Sequence, residues 1–276
     1  MLWRASGRLG AGRMEMQREL QRKAGDVGIP GDGVGETKVG KGTRRGRQSR
    51  RTERALRILA AAASLVERYG YSKTTLDDVA REAGVAKGTL YLHWHSREEL
   101  FGAVLRREQI LLSRSFLDRM RAEKEPLTVR ALFKHAALCL LQRPLVRAVF
   151  TRDVEMVGHL LLREQRAHPE QKELFHVLLE FLGRHNLVRR DLTPQAQAFL
   201  VSAIFLGFFV TASWLPEQAS LTDEQIAGLM ADTVVAALDV GSRATPSQEA
   251  AAAEDVLNRL EDLVAREEAA FQAELL

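Results

Sequence analysis

From residue 51 onward, apolar residues recur every three or four positions, and this period constrains the fold more than any other feature of the sequence. The first such run forms one helical face and ends at Gly70. Its apolar members are Ala55, Ile58, Leu59, Ala62, Leu65, Val66 and Tyr69. No stretch alternates between apolar and polar residues as a half-buried strand would. The pattern therefore predicts an all-α fold.

Residue pairs typical of helix N-termini mark where later helices begin. A serine or threonine stands three positions before an acidic residue or a glutamine, which is the spacing of a capping box. These pairs are Ser96 with Glu99, Thr222 with Gln225 and Thr245 with Gln248. Pro194 and Pro246 each follow a threonine, where the first helical position tolerates the missing N–H. Breaks between helices are expected near residues 70, 84, 95, 125, 143, 168, 192, 220 and 244.

Charge is distributed unevenly along the chain, whose formal net charge is +4. Residues 1–54 hold 14 Lys and Arg against 6 Asp and Glu, whereas residues 246–276 hold 2 against 8. Residues 1–50 also lack an apolar period, so we expect a disordered basic arm on the side that would meet a polyanion. The alternative is that translation begins at Met14 or Met16.

The sequence offers little for catalysis or metal binding. It has no glycine-rich phosphate loop, no serine or cysteine nucleophile motif and no convincing pair of carboxylates. The single cysteine, Cys139, lies in an apolar run, which predicts a buried and unreactive thiol. Only His93 and His95 are close-spaced, and no other ligand spacing supports zinc. We therefore expect that the protein is not an enzyme and that it binds neither a metal ion nor a cofactor.

The most informative window spans residues 74–100 and reads TTLDDVAREAGVAKGTLYLHWHSREEL. Thr75 can cap a first short helix that has Asp78 at its third position. Gly84 suits the left-handed residue that ends such a helix. A second short helix follows at once, and two short helices joined by a tight turn are typical of a helix-turn-helix.

The second helix of this window is expected to run from about residue 86 to 94, with Leu90 in the core. Its exposed residues would be Lys87, Gly88, Thr89, Tyr91 and His95. A lysine, a hydroxyl and a phenol suit phosphate oxygens and base edges, and a glycine lets the backbone approach DNA closely. Spacing alone leaves open an ordinary helical hairpin with solvated polar residues.

Residues 57–105 closely resemble the DNA-binding domain of the TetR/AcrR family of transcriptional regulators. The shared sequence motifs are Tyr69-Gly70, Thr74-Thr75, Asp78-Val79-Ala80, Ala83-Gly84-Val85, Lys87-Gly88-Thr89-Leu90-Tyr91, Trp94 and Arg97-Glu98-Glu99-Leu100. The resemblance implies an N-terminal three-helix helix-turn-helix domain and a C-terminal helical bundle for ligand binding and dimerisation. It also implies a sequence-specific repressor that a small apolar ligand releases from its operator.

The same resemblance implies a set of contacts with double-stranded operator DNA. The residues are Thr75, Lys87, Gly88, Thr89, Tyr91, His93, His95 and Arg97. Thr75 and Arg97 would hold phosphates, and Tyr91 would pack on the backbone or reach a base. Ala86 departs from the usual serine of the family, which removes a helix cap. His95 departs from the usual proline or lysine and would either contact DNA or remain solvated.

The resemblance further implies a homodimer formed through two apolar helices, near residues 194–215 and 222–240. A small-molecule effector would bind between a long helix over residues 98–120 and segments 128–166 and 170–186. The candidate lining residues are Phe101, Leu105, Phe133, His135, Phe150, Met156, His159 and Phe175. The apolar candidates equally fit ordinary core packing, and the histidines equally fit the surface.

Together these inferences divide the chain into a disordered basic arm (1–50), a DNA-binding domain (51–97), a ligand-binding and dimerisation bundle (98–244) and an extra C-terminal helix (245–276). That last helix carries an apolar stripe, so it needs a partner surface on its own domain or on the dimer mate. The stripe comprises Val256, Leu260, Leu263, Val264 and Phe271. The single cysteine fits the reducing cytoplasm, where we expect the protein at the nucleoid. The apolar run 196–215 is interpreted as a core helix rather than a membrane span.

Overall fold

The computed structural model describes residues 44–123, 128–152, 159, 174–214, 221–238 and 245–276. Within these residues every regular element is a helix, which agrees with the all-α prediction. The helices are α1 (Arg44–Tyr69), α2 (Leu76–Ala83), α3 (Lys87–Tyr91), α4 (Arg97–Ala122), α5 (Val129–Leu141), α6 (Pro144–Arg152), α7 (Leu174–Arg184), α8 (Pro194–Trp214), α9 (Asp223–Leu238) and α10 (Pro246–Glu274).

The helix ends follow the predicted capping signals. Thr75 and Thr245 each form a complete capping box with the residue three positions later. The Ser96 hydroxyl accepts a hydrogen bond from the Glu99 amide at the start of α4. Gly70 and Gly84, which end α1 and α2, have φ angles of 85° and 64°. Only glycine adopts this left-handed conformation without cost, so both breaks are fixed by residue type.

Helix α1 begins at Arg44, so the predicted boundary of the disordered arm at residue 50 is wrong for residues 44–50. The apolar period did not show this extension because residues 46–51 are exposed on every side. Arginine is a good helix former, so a polar segment can continue a helix whose core contacts begin at Ala55. The rest of the predicted arm, residues 1–43, lies outside the described residues.

Helix α3 is shorter than predicted, because it ends at Tyr91 instead of continuing to Trp94. The amides of His93 and Trp94 both donate to the Leu90 carbonyl, at 2.9 Å each. Competition for one acceptor closes the helix in a tight turn. Leu92 is the C-cap residue, and Trp94 is still buried beyond it.

The buried side chains form two clusters. The first, here called the α1 cluster, joins α1, α2 and α3 to the first half of α4 and includes Ile58, Leu90 and Phe101. The second, the α5 cluster, joins the second half of α4 to α5 and α7–α10 and includes Phe116 and Phe133. Because α4 contributes to both clusters, the predicted domain boundary near residue 97 is crossed by a continuous helix. Residues 43–276 group as one compact unit.

Helix α10 packs on its own bundle, along α4 and α7. The predicted stripe is buried at Val256, Leu260, Val264 and Phe271, while Leu263 is half-buried. Phe271 belongs to the α1 cluster and the other buried members belong to the α5 cluster. The last helix therefore extends from the α5 cluster to the α1 cluster, where Glu274 pairs with Arg106 in the first half of α4.

By length and composition, one of the described helices could cross a membrane: residues 194–212 of α8. Only 22% of this stretch is buried, so the expectation of an ordinary core helix does not account for it. Phe199 is 76% exposed and Leu206 is 39% exposed. An apolar surface of this kind in a folded bundle calls for a covering partner.

Candidate nucleic-acid interface

Helices α2 and α3 are held against α1 as a rigid pair. Val79 and Ala80 of α2 and Leu90 of α3 are buried, and the Val85 amide donates to the Ala80 carbonyl at 3.0 Å across the Gly84 turn. Both helices are too short to be stable alone, so this packing fixes their relative orientation. The result is a helix-turn-helix with one face of α3 turned away from the core.

The eight residues predicted to contact DNA occupy different depths in this unit. Thr75, Lys87, Gly88, Tyr91 and His95 are exposed, and Thr89, His93 and Arg97 are half-buried. Thr89 and His93 are covered because they flank Leu90 and Trp94 on the core side of the turn. The prediction of an exposed Thr89 is therefore only partly right.

Lys87 reaches from the start of α3 to the start of α2, where its Nζ lies 2.8 Å from the Asp77 carboxylate. The hydrogen bond that Lys87 donates to this carboxylate, together with the charge of the carboxylate, raises the pKa of Lys87. Both side chains are largely solvated, and exposed ion pairs contribute little stability. A phosphate can replace Asp77 as the partner of Lys87 at small cost.

Thr75 is committed to the helix cap. Its hydroxyl donates to Asp78 Oδ2 at 2.6 Å and accepts from the Asp78 amide at 3.2 Å. The hydrogen bonds that the Asp78 carboxylate accepts from the Thr75 hydroxyl and from the Thr75 amide are the main reason that the pKa of Asp78 is lowered. The Thr75 hydroxyl already donates its hydrogen to Asp78, so it has no hydrogen left to give to a phosphate. The predicted phosphate contact at Thr75 would therefore have to use the backbone amides at the start of α2.

Arg97 points into the fold. Its Nε donates to the Thr74 carbonyl at 3.1 Å, and its Nη2 donates to the Tyr71 carbonyl. The guanidinium also lies 3.8 Å from the centroid of the Tyr71 ring, within cation–π range. The side chain thus ties the loop before α2 to the start of α4. The predicted phosphate clamp would require these internal contacts to be shared or broken.

The environment of His93 indicates that the basic start of α1 lies beside the end of α3. Burial lowers the pKa of His93, and the charges of Arg51 and Arg54 lower it further. Burial and the two guanidinium charges therefore favour the neutral form of this imidazole. Arg51 and Arg54 are themselves exposed, so two guanidinium groups border the predicted DNA-binding face.

The prediction overlooked Leu92, which is 69% exposed directly after α3. It follows exposed Tyr91 and precedes half-buried His93, both of which were identified. The signal in the sequence was its position two residues after the core residue Leu90, which turns it to the opposite side of the helix. Leu92 therefore places an apolar side chain at a position that faces solvent, next to exposed Tyr91.

The predicted ligand-pocket residues do not come together as one lining. Phe101 and Leu105 pack in the α1 cluster, whereas Phe133 is fully buried in the α5 cluster. Phe101 is held by Tyr71, whose ring centroid lies 4.8 Å away. Grouping these phenylalanines was wrong because helical spacing does not reveal which neighbour a residue meets.

The other candidates for the pocket are only partly described. His135 is half-buried, and its Nε2 lies 3.1 Å from Glu123. His159 is exposed. Met156 and the side chains of Phe150 and Phe175 lie outside the described residues. Among the residues that are described, no group of His, Cys, Asp and Glu is arranged to hold a metal ion.

Comparison with known sequences places the helix-turn-helix in a family. Residues 58–104 match the bacterial regulatory proteins of the tetR family. The transcriptional activator FasR of Mycolicibacterium smegmatis is 41% identical over 73 residues, which are 26% of this chain and 33% of that protein. The chain therefore spans about a third of the length of that relative. The HTH-type transcriptional regulator YhgD of Bacillus subtilis is 26% identical over 186 residues, 66% of this chain and 94% of that protein.

Solved structures share the fold beyond the helix-turn-helix. A TetR-family transcriptional regulator from Syntrophomonas wolfei superimposes with a TM-score of 0.52 at 16% identity, over 68% of this chain and 95% of its own. One from Rhodococcus gives 0.50 at 21% identity, over 68% and 99%. The shared architecture is the helix-turn-helix followed by a helical C-terminal bundle. The motif and the relatives agree that residues 58–104 form a helix-turn-helix domain of the tetR family of bacterial regulatory proteins, and the chain as a whole shares the fold of solved TetR-family regulators.

Proposed function

We propose that the protein is a sequence-specific repressor that leaves its operator when a small, largely apolar ligand binds. The observation that carries the DNA-binding part is the exposed face of α3. Lys87, Gly88 and Tyr91 stand there on a helix whose opposite side is fixed by Leu90, which is 1% exposed. Such a helix fits the major groove, which is wide enough for it. Repression and release are the mode of action that the family resemblance implies.

The start of α1 supports a wider contact with the phosphate backbone. Residues 44–54 include the six arginines Arg44, Arg45, Arg47, Arg50, Arg51 and Arg54. Arg51 and Arg54 influence His93 at the end of α3, so this basic segment lies beside the proposed groove-binding helix. Because it is helical from Arg44, we propose that it holds phosphates as an extension of α1.

The exposed apolar surface of α8 and α9 supports dimerisation. Phe199 and Leu206 on α8 and Leu229 on α9 are 76%, 39% and 48% exposed in the single chain. We propose that α8 and α9 pack against the same helices of a second copy, so that one symmetric dimer presents two α3 helices. Such a dimer would bind half-sites about 34–36 Å apart, one turn of the DNA helix.

The effector is proposed to bind in the bundle near α5. His135 is partly covered, and its Nδ1 is buried without a hydrogen-bond partner in the described part of the chain. Buried polar atoms are normally paired, so this nitrogen is available to a polar group of a mostly apolar ligand. Because α4 joins both clusters, a ligand that shifts α4 would change the spacing of the two recognition helices.

Capture of genomic DNA fragments by the full-length protein tests the function directly. We expect enrichment of a palindromic sequence, and its loss with Tyr91→Ala, which leaves the core intact. Leu221→Ala is the matched control, because Leu221 and Tyr91 are both 41% exposed but Leu221 lies before α9. No enriched sequence would overturn the proposal. Reporter transcription from the captured site, with and without compounds that raise the melting temperature, separates a repressor from an activator.

A further inference from the structure

We propose that Leu92 reads the 5-methyl group of a thymine in the major groove, and is therefore a specificity-determining residue. The inference rests on the DNA binding by α3 argued above. It adds a residue that contributes through apolar contact, where the predicted DNA contacts act mainly through hydrogen bonds and charge. Three observations on α3 and one argument from the chemistry of the major groove carry it.

The first observation is the exposure of Leu92. At 69% it is the most exposed leucine in the described part of the chain, and it belongs to neither buried cluster there. Leu90, two positions earlier, is 1% exposed. Two positions correspond to about 200° around a helix, so Leu92 points away from the core that Leu90 enters.

The second observation is the space beside Leu92. Gly88 lies four positions earlier, so both residues occupy the same face, one turn apart. A side chain that follows a helix leans back over the preceding turn, which places Leu92 over Gly88. A Cβ added at Gly88 would meet no atom of the described residues within 4 Å, so packing in that part of the chain does not demand a glycine there.

The missing side chain at Gly88 gives this face its shape. Without a Cβ on the turn before it, Leu92 is uncovered on its N-terminal side, and the backbone at Gly88 can approach a flat surface closely. The edge of a base pair is such a surface. Gly88 and Leu92 thus form an apolar strip beside the polar strip of Lys87 and Tyr91, and both strips are exposed.

The third observation is the chemistry around the strip. The stretch from Lys87 to Leu92 contains no acidic residue, and Arg51 and Arg54 lie near its end at His93. Helix α3 itself therefore presents no carboxylate to a polyanion, and the neighbouring Asp77 carboxylate is already paired with Lys87. This continuity with the basic start of α1 favours DNA over an apolar protein partner as the occupant of the strip.

The fourth step is the identity of the group that Leu92 meets. In the major groove, base-pair edges present hydrogen-bond donors and acceptors, and the thymine methyl group is their apolar feature. A leucine cannot satisfy a donor or an acceptor, so its placement against any other edge would leave that group desolvated without a partner. Thymine is therefore the base that this side chain favours.

The experiment replaces thymine by uracil in the captured operator, one position at a time and symmetrically in both half-sites. This removes one methyl group and keeps every hydrogen-bonding group of the base pair. For wild-type protein we expect one position where affinity falls about fourfold per half-site, the equivalent of roughly 0.8 kcal/mol per buried CH₂ group. Leu92→Ala should bind the thymine and uracil duplexes equally at that position, and Leu92→Met should retain the preference.

The outcomes separate this inference from the proposed function. If wild-type protein selects an operator but tolerates uracil everywhere, Leu92 does not read thymine. If Leu92→Ala is as sensitive to uracil as wild type, another residue makes the methyl contact and the assignment is wrong. If no duplex is selected at all, the proposed function fails first. Because Leu92 is largely exposed, the alanine variant should keep the wild-type melting temperature, which confirms that it is folded.

Discussion

The first and last helices of the described chain, α1 and α10, are both long, but their charges differ in sign and in surroundings. The start of α1 is basic, and residues 46–51 are exposed on every side. Helix α10 is acidic, and three of its glutamates pair with arginines of α4. The pairs are Glu274 with Arg106, Glu268 with Arg114 and Glu261 with Arg121.

This difference distinguishes charges that are matched between two helices from charges of one sign that are concentrated at the start of one helix. The α10 glutamates are matched by arginines at intervals of seven or eight residues along α4, two turns of helix apart. The arginines of α1 are crowded into a segment that has one acidic residue, Glu53, between residues 44 and 54. A polyanion therefore suits α1, whereas α10 is part of the architecture.

The largest effect on stability is expected from truncating a buried side chain of α10. Leu260 is 3% exposed in the α5 cluster, so Leu260→Ala should lower the free energy of unfolding by about 2–5 kcal/mol. Denaturant unfolding measures this change. Leu276→Ala, at 45% exposure on the same C-terminal segment, is the matched control and should have little effect. A small loss for Leu260→Ala would mean that α10 is detachable.

The next effect concerns the charge of α1. Replacing exposed Arg50, Arg51 and Arg54 by glutamine should leave the melting temperature unchanged and weaken operator binding. Each lost phosphate contact should flatten the plot of log affinity against log salt by about 0.9. Exposed Arg259 and Arg266 on α10, changed to glutamine together, form the control. Equal slopes for the two variants would place the start of α1 away from DNA.

Local rules explain what the sequence predicts about this molecule. A cap such as Thr75 with Asp78, or a turn at Gly84, depends on a few neighbouring residues, so residue type and spacing determine it. The beginning of α1 could not be predicted in this way, because a helix that is polar on all sides has no apolar period. The division of Phe101 and Phe133 between two clusters depends on long-range packing, which helical spacing does not contain. Leu92 was overlooked because a leucine in a short helix is ordinarily assigned to the core.

A smaller effect is expected from Glu267, which lies between Val264 and Phe271 on the inner side of α10. Burial raises the pKa of Glu267 from 4.5 to about 7. The folded state therefore holds this proton more tightly than the unfolded state, so stability declines as pH rises from about 4.5 through 7. Since the side chain is partly solvated, the change is on the order of 1 kcal/mol, after discounting the full shift for screening.

Glu267→Gln should remove this part of the pH dependence. Above pH 7 the variant should be more stable than wild type, and near pH 4.5 the two should be similar. Chemical denaturation at several pH values measures the difference. Glu254→Gln, an exposed position of the same helix, controls for the loss of one negative charge. If both variants change stability equally at every pH, net charge and not burial is responsible.

The smallest effect is expected from the ion pairs that distinguish α10 from α1. Arg114 donates to both carboxylate oxygens of Glu268, at 3.1 and 2.5 Å, and the two side chains are 39% and 37% exposed. Partly solvated pairs contribute about 0–1 kcal/mol, so Arg114→Glu and Glu268→Arg should each destabilise the protein slightly.

The double variant, which restores opposite charges, should recover most of the loss. This coupling should decrease in 1 M salt, because the Debye screening length is then only about 3 Å. A double variant as unstable as the sum of the two single variants would mean that this ion pair does not help to hold α10 on α4, and that the apolar stripe of α10 does so instead.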